Sequence, residues 1–208
     1  KLADMLPGLR RLLGEVLSPG QRAEVSLALA GGAAEVVVEG APAPALAARE
    51  RLVAFAGKAG IARLVWGHDV IVQFQAMAAT FAGVAVELPP AAFLQPTSEG
   101  EAFIATAVAE TLADAGRVAD LFAGCGAFAI PLAAARKRVA AYEIEASHAK
   151  ALETAVRRAA GRLTVKVEVR DLERRPLPAS ELAAFDGVVL DPPRAGAAAQ
   201  ARQLAAST

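Results

Sequence analysis

The stretch Val118-Ala-Asp-Leu-Phe-Ala-Gly-Cys-Gly-Ala-Phe-Ala-Ile130 constrains the fold more than any other part of the chain. Val118 to Phe122 reads as a short buried strand, Gly124 and Gly126 as a tight turn, and Phe128 onward as a helix. Glycines let a backbone come close to a ligand, and the first N–H groups of a helix lack partners inside it. A strand, a glycine turn and a helix start therefore form a cradle. The spacing Gly124-x-Gly126-x-x-Ala129 also fits the dinucleotide fingerprint. The turn alone does not separate S-adenosylmethionine from a nicotinamide cofactor.

Other strand ends narrow the choice. Glu143 follows the strand Val139–Tyr142, nineteen residues after Gly124. A carboxylate there suits the two hydroxyls of an adenosine ribose, which both cofactors carry. Phe185 to Leu190 reads as a strand that runs into Asp191-Pro192-Pro193-Arg194-Ala195-Gly196. The prolines lock that turn and fix the carboxylate at the strand's C-terminal edge. Such a turn suits a methyltransferase that meets a flat base, and nicotinamide enzymes do not usually need it.

Around these motifs, strands (118–122, 139–143, 164–170, 187–191) alternate with helices (126–136, 147–160 and from about 197). The alternation predicts an α/β fold, a parallel sheet with helices on both faces, and ligands at the strands' carboxyl ends. Glu143, Asp171, Asp191 and the glycine turn all fall at such ends.

Phe93-Leu-Gln-Pro-Thr97, Asp120-Leu-Phe-Ala-Gly-Cys-Gly-Ala-Phe128, Tyr142-Glu143 and Asp191-Pro-Pro-Arg-Ala-Gly196, in this order and spacing, resemble the RNA uridine-5-methyltransferase family. The motifs cover roughly residues 91 to 196. The resemblance implies a class I, Rossmann-like sheet that binds S-adenosylmethionine, and an RNA substrate, ribosomal or transfer. It implies that Gln95, Phe122, Gly124, Gly126, Glu143, Asp171 and Asp191 bind the cofactor. It also implies that Gln95, Asp191 and Pro192 meet the target base. In the implied reaction a cysteine thiolate adds to carbon 6 of the uracil, carbon 5 takes the methyl group, and a base removes the carbon-5 proton.

Family members carry that cysteine on the strand after the Asp-Pro-Pro helix. The nucleophile is therefore expected beyond Thr208, and no catalytic residue is expected in this chain. Thr97 and Ala127 stand where many members have Asn. Any iron–sulfur cluster is expected only in an N-terminal part outside these residues. Two other readings stay open. One is a methyltransferase acting on a base amino group, and the other is an inactive methyltransferase-like module that binds RNA.

Residues 1–90 read as an N-terminal arm (Leu2 to Leu17) and a small β-rich, RNA-contacting subdomain. Ala23–Leu29 and Glu35–Val38 alternate like a hairpin around Gly31-Gly32. A helix is expected over Ala45–Ala56, and strands over Ile61–Trp66, Val70–Phe74 and Thr80–Leu88. Pro89-Pro90 marks the boundary of the cofactor domain, 91–208. Ser98-Glu-Gly-Glu101 has the spacing of a capping box.

Composition sets limits. Formal net charge is zero, so bulk charge gives no support for nucleic-acid binding. The short runs Arg10-Arg11, Arg136-Lys-Arg138, Arg157-Arg158 and Arg174-Arg175 read first as solvated faces. Cys125 is the single cysteine, which excludes a disulfide or multi-cysteine metal site within the chain. It sits inside the glycine turn, not where a base would arrive. Charges interrupt every apolar run, so no membrane span is expected. The reading is of a cytoplasmic monomer, and of a fragment at both ends, since the chain starts at Lys1 and ends in a helix-like run.

Overall fold

A computed structural model describes residues 2–207. The chain divides into two compact units. One holds residues up to Ala79 together with Glu87–Ala91; the other holds Thr80–Val86 and the chain from Ala92 onward.

The first unit begins with α1 (Leu2–Val16), then the hairpin β1 (Glu24–Ala30) and β2 (Ala33–Glu39). Ala30 pairs with Ala33, which leaves Gly31 (φ 56°) and Gly32 (φ 81°) as a two-residue turn. Two successive positive φ values match the right-handed twist of the strands, and glycine adopts them without steric cost. Helix α2 (Leu46–Ala59) then carries the chain to β3 (Arg63–Trp66), parallel to β2, and β4 (Asp69–Gln73) closes an antiparallel pair with β3. The sheet order is β1-β2-β3-β4. Val36, Val38, Leu64 and Trp66 form a core with Met5, Leu9 and Leu12 of α1 and Leu52 and Ala56 of α2.

This unit also buries an ion pair. Arg63 Nε donates to Glu35 Oε1, and both side chains are 3% exposed. The rest of the guanidinium donates to the carbonyls of Leu88 (2.9 Å) and Pro89 (2.8 Å), while Glu35 accepts the Ala91 N–H at 3.4 Å. Hydrogen bonds to the remaining donors are what make a buried charge pair tolerable. Here they hold the proline-marked segment against the sheet.

Residues 78–87 differ from the expected single strand. They form a two-stranded ribbon of β5 (Ala78–Phe81) and β6 (Val84–Glu87). Ala82 (φ 46°) and Gly83 (φ 77°) turn the chain between them. An alanine at the first turn position conceals this turn in the sequence.

In the second unit α3 (Ser98–Thr111) is capped by Thr97, whose Oγ1 accepts the Gly100 N–H at 3.0 Å. The expected Ser98–Glu101 box is thus displaced by one residue, because extended Thr97 (φ −138°) is the last non-helical position. The unit continues with β7 (Arg117–Leu121), α4 (Ala129–Ala134), β8 (Arg138–Glu143), α5 (Ala146–Arg158) and β9 (Thr164–Val169). A short α6 (Ala179–Leu182), β10 (Gly187–Leu190) and α7 (Ala198–Ala205) complete it. Four parallel strands run in the order β10-β7-β8-β9.

Alternating side chains of β7 serve opposite faces. Ala119 and Leu121 join Tyr142 against Leu172, Leu177, Leu182 and Leu204, whereas Val118 and Asp120 point the other way. Lys137, read as part of a solvated basic run, is buried. Its Nζ donates to the carbonyls of Leu112 (2.6 Å), Ala113 (2.9 Å) and Ala115 (2.9 Å), closing the end of α3. Among the described residues, no helix is long and apolar enough to cross a membrane.

Candidate functional site

The chain leaves β7 toward β8 and β9 on one side and returns to β10 on the other. The strand order therefore reverses between β7 and β10, and open α/β sheets bind ligands outside the carboxyl ends of the strands at such a point. Leu121 and Leu190 are register partners there, and Asp191 stays alongside through its N–H, 3.5 Å from the Leu121 carbonyl.

Beyond Leu121 the backbone turns sharply. Phe122 has φ 65°, a left-handed conformation that costs a side-chain-bearing residue about 1–2 kcal/mol. Its ring recovers part of that cost by packing on the cluster of Leu121, Tyr142 and Leu177. The Ala123 N–H donates to the Tyr142 carbonyl at 3.0 Å, and the Gly126 N–H to the Ala123 carbonyl at 2.9 Å. Gly124 (φ 54°) faces open space, so the backbone itself forms the floor of the crevice. Gly126 (φ 97°) is required on the inner side, where a Cβ would lie 2.5 Å from Leu152 Cδ1.

Glu143 locks this turn. Its Oε2 accepts the Gly124 N–H at 2.7 Å, and its Oε1 accepts the Glu145 N–H at 2.8 Å. The residue is 6% exposed. Each carboxylate oxygen keeps a second lone pair for a ligand hydroxyl.

Asp120 is a site residue that motif reading passed over. It is fully buried, and neither carboxyl oxygen has a hydrogen-bond partner. Burial pushes its carboxyl up to about 7, and the charges of Asp191 and Glu143 add to the rise; the Ala129 N–H opposes it without forming a well-made hydrogen bond. A carboxylic residue inside an apolar strand was the available signal. The motifs also do not mark Ile144. It follows Glu143 directly yet is 49% exposed, and Val169 at the neighbouring strand end is 51% exposed. Both offer apolar surface where water would otherwise be expected to meet polar groups.

Asp191, Pro192 and Pro193 are exposed, and the Gly196 N–H closes their turn on the Pro193 carbonyl at 2.8 Å. Gln95 is half-buried. Among the described residues it has no bond to the glycine turn, Glu143 or Asp191. Asp171 is committed to its own turn, with Oδ1 accepting the N–H groups of Glu173 (3.0 Å) and Arg174 (3.1 Å). Cys125 is buried, and burial, reinforced by the Glu143 charge, pushes its thiol up to about 12. Such a thiol is not a nucleophile at neutral pH. No cluster of potential metal ligands occurs among the described residues.

The parallel sheet, glycine turn and acidic strand ends define the second unit as a class I methyltransferase, Rossmann-like fold. A tRNA (uracil-54, C5)-methyltransferase of Pyrococcus abyssi, solved with S-adenosyl-L-homocysteine, shares that fold with a TM-score of 0.61 at 18% identity, covering 86% of this chain and 46% of that one.

In sequence the chain is 47% identical over 148 residues to an uncharacterized RNA methyltransferase of Mesorhizobium japonicum, covering 71% of this chain and 36% of that protein. It is 39% identical over 201 residues to another uncharacterized RNA methyltransferase, from Zymomonas mobilis, covering 95% of this chain and 50% of that protein. The chain thus spans between 36% and 50% of the length of these relatives. No family model matches it.

Proposed function

We propose that this chain binds S-adenosylmethionine in the crevice between β7 and β10, as the cofactor-holding part of an RNA methyltransferase that acts on carbon 5 of a uridine. The observation that carries the reading is the Gly124 turn fastened to Glu143 at the topological switch point, with Asp191 on the facing strand end. The cradle fits the cofactor. Its floor is open backbone at Gly124, a buried acid borders it, and orphaned carboxyl oxygens lie beneath it. When bound, the cofactor supplies an electrophilic methyl group on a sulfonium.

The chain's own residues bind and orient. Glu143 accepts the ribose hydroxyls, and the exposed faces of Ile144 and Val169 lie against the adenine. The Gly124–Gly126 backbone, with Phe122 holding the bend, supports the methionyl part. Asp191 and Pro192 present a rigid edge to the target base. Gln95, half-buried in the loop before α3, is assigned to the same space on the resemblance alone. Asp171 acts by shaping the loop after β9. The RNA partner is read from the relatives' names, and the first unit is its proposed second contact.

A uridine target also needs a thiolate to attack carbon 6, and Cys125 does not provide one. The reading therefore places that nucleophile outside these 208 residues. It predicts that the 208-residue chain binds S-adenosylhomocysteine yet forms no covalent adduct with RNA containing 5-fluorouridine. An adduct through Cys125 would overturn this part. An amino-group target needs no thiolate, and the exposed Asp191-Pro192-Pro193 turn fits it as a second reading. A nucleoside digest of RNA methylated by the intact enzyme separates the two, with 5-methyluridine supporting the first and an N-methylated base the second.

A further inference from the structure

Asp120 is the one feature of the crevice that cofactor binding through backbone and ribose contacts does not explain. Its side chain is fully buried with both oxygens orphaned, although it stands only four residues before Gly124. Burying a carboxylate without hydrogen bonds is strongly unfavourable, whereas a neutral carboxyl is tolerated far better. The surroundings sharpen the contrast. Glu143 from the end of β8 and Asp191 from the end of β10 both repel a charge on Asp120. From the start of α4 the Ala129 N–H acts in the opposite sense. Among the described residues, no cationic group acts on Asp120. Below about pH 7 Asp120 is therefore mostly protonated, with the acids Glu143 and Asp191 near it.

We propose that Asp120 selects the ligand of this crevice by charge, giving up its proton to solvent when a sulfonium cation enters beside the glycine turn. The O–H bond of Asp120 breaks, the proton passes to buffer, and the new carboxylate balances the positive charge of the ligand. The total charge of the crevice is unchanged. A neutral thioether brings no such compensation, so it leaves Asp120 protonated. This inference rests on the cofactor reading above and adds to it a rule of specificity: the cationic cofactor is favoured over its spent, neutral-sulfur product as pH rises.

Calorimetric titration of S-adenosylmethionine and of S-adenosylhomocysteine into the 208-residue chain at about pH 6, in two buffers of different ionisation enthalpy, counts the protons released. S-adenosylmethionine is expected to release close to one proton and S-adenosylhomocysteine far less. Between about pH 5 and 7 the S-adenosylmethionine affinity rises by up to about tenfold per pH unit, the slope of a single linked proton. Asp120→Asn abolishes the release and flattens the profile. The wild-type count stands by itself if that variant does not fold. Binding of both ligands with no release, or with equal release, overturns the inference while leaving the cofactor reading intact. Binding of neither ligand overturns the cofactor reading, and this inference falls with it.

Discussion

Glu143 Oε2 accepts the backbone N–H of Gly124 at 2.7 Å, so the acid at the end of β8 holds the glycine turn at the end of β7. A residue expected to meet a ribose is also the strut of the cradle.

Replacing Glu143 by Ala leaves the Gly124 and Glu145 N–H groups without their acceptor inside the protein. The expected loss of stability is about 2–3 kcal/mol, because charge-assisted bonds in a buried site are replaced by nothing. Glu143→Gln keeps one acceptor and should remain folded, but should lose at least tenfold in S-adenosylhomocysteine affinity. Denaturant unfolding and calorimetry check both. Unchanged affinity in Glu143→Gln would remove Glu143 from the ligand.

Gly126→Ala puts a methyl group at φ 97° and 2.5 Å from buried Leu152. Strain and overpacking together should cost roughly 2–4 kcal/mol. Gly161→Ala is the control, with φ 78° and nothing within 4 Å, and should cost about 1 kcal/mol. Thermal unfolding of the two variants should show the first melting well below the second.

Asp120 makes stability depend on pH in a defined direction. Its folded value is raised from 3.8 to about 7, so between these values the folded state binds more protons than the unfolded one. Unfolding free energy from this group therefore falls as pH rises through that window and levels off above about 7. In Asp120→Asn the group does not ionise. The difference in melting temperature, variant minus wild type, should increase from pH 4 to pH 8, and a flat difference would show that Asp120 is not neutral in the folded protein.

Glu35→Ala removes the carboxylate partner of a guanidinium that is 3% exposed. Breaking a buried pair from one side costs about 3–5 kcal/mol. The expected result is early unfolding of the first unit, read as faster amide exchange in β2 and β3.

What could be read from sequence followed from how local each signal is. The glycine turn, the acid after β8 and the Asp-Pro-Pro turn depend on residues close in the chain, and their types declare the backbone they need. The Gly31-Gly32 hairpin is legible for the same reason. Asp120 was visible as an acid in an apolar strand, but its orphaned state depends on α4 closing over it. Lys137 sits between two arginines and looks solvated. Only the end of α3, more than twenty residues earlier, shows where its ammonium goes. The β5–β6 ribbon was hidden because Ala82 carries a positive φ that its residue type does not announce. Motif position also does not reveal that the Asp171 carboxylate closes the turn that follows it.

The most direct test of the account is calorimetric titration of S-adenosylhomocysteine into the chain, with NAD as comparator. The account predicts one saturable site for S-adenosylhomocysteine, weakened at least tenfold by Glu143→Gln, and no binding of NAD. No heat with S-adenosylhomocysteine at any usable concentration, or equal binding of NAD, would contradict it.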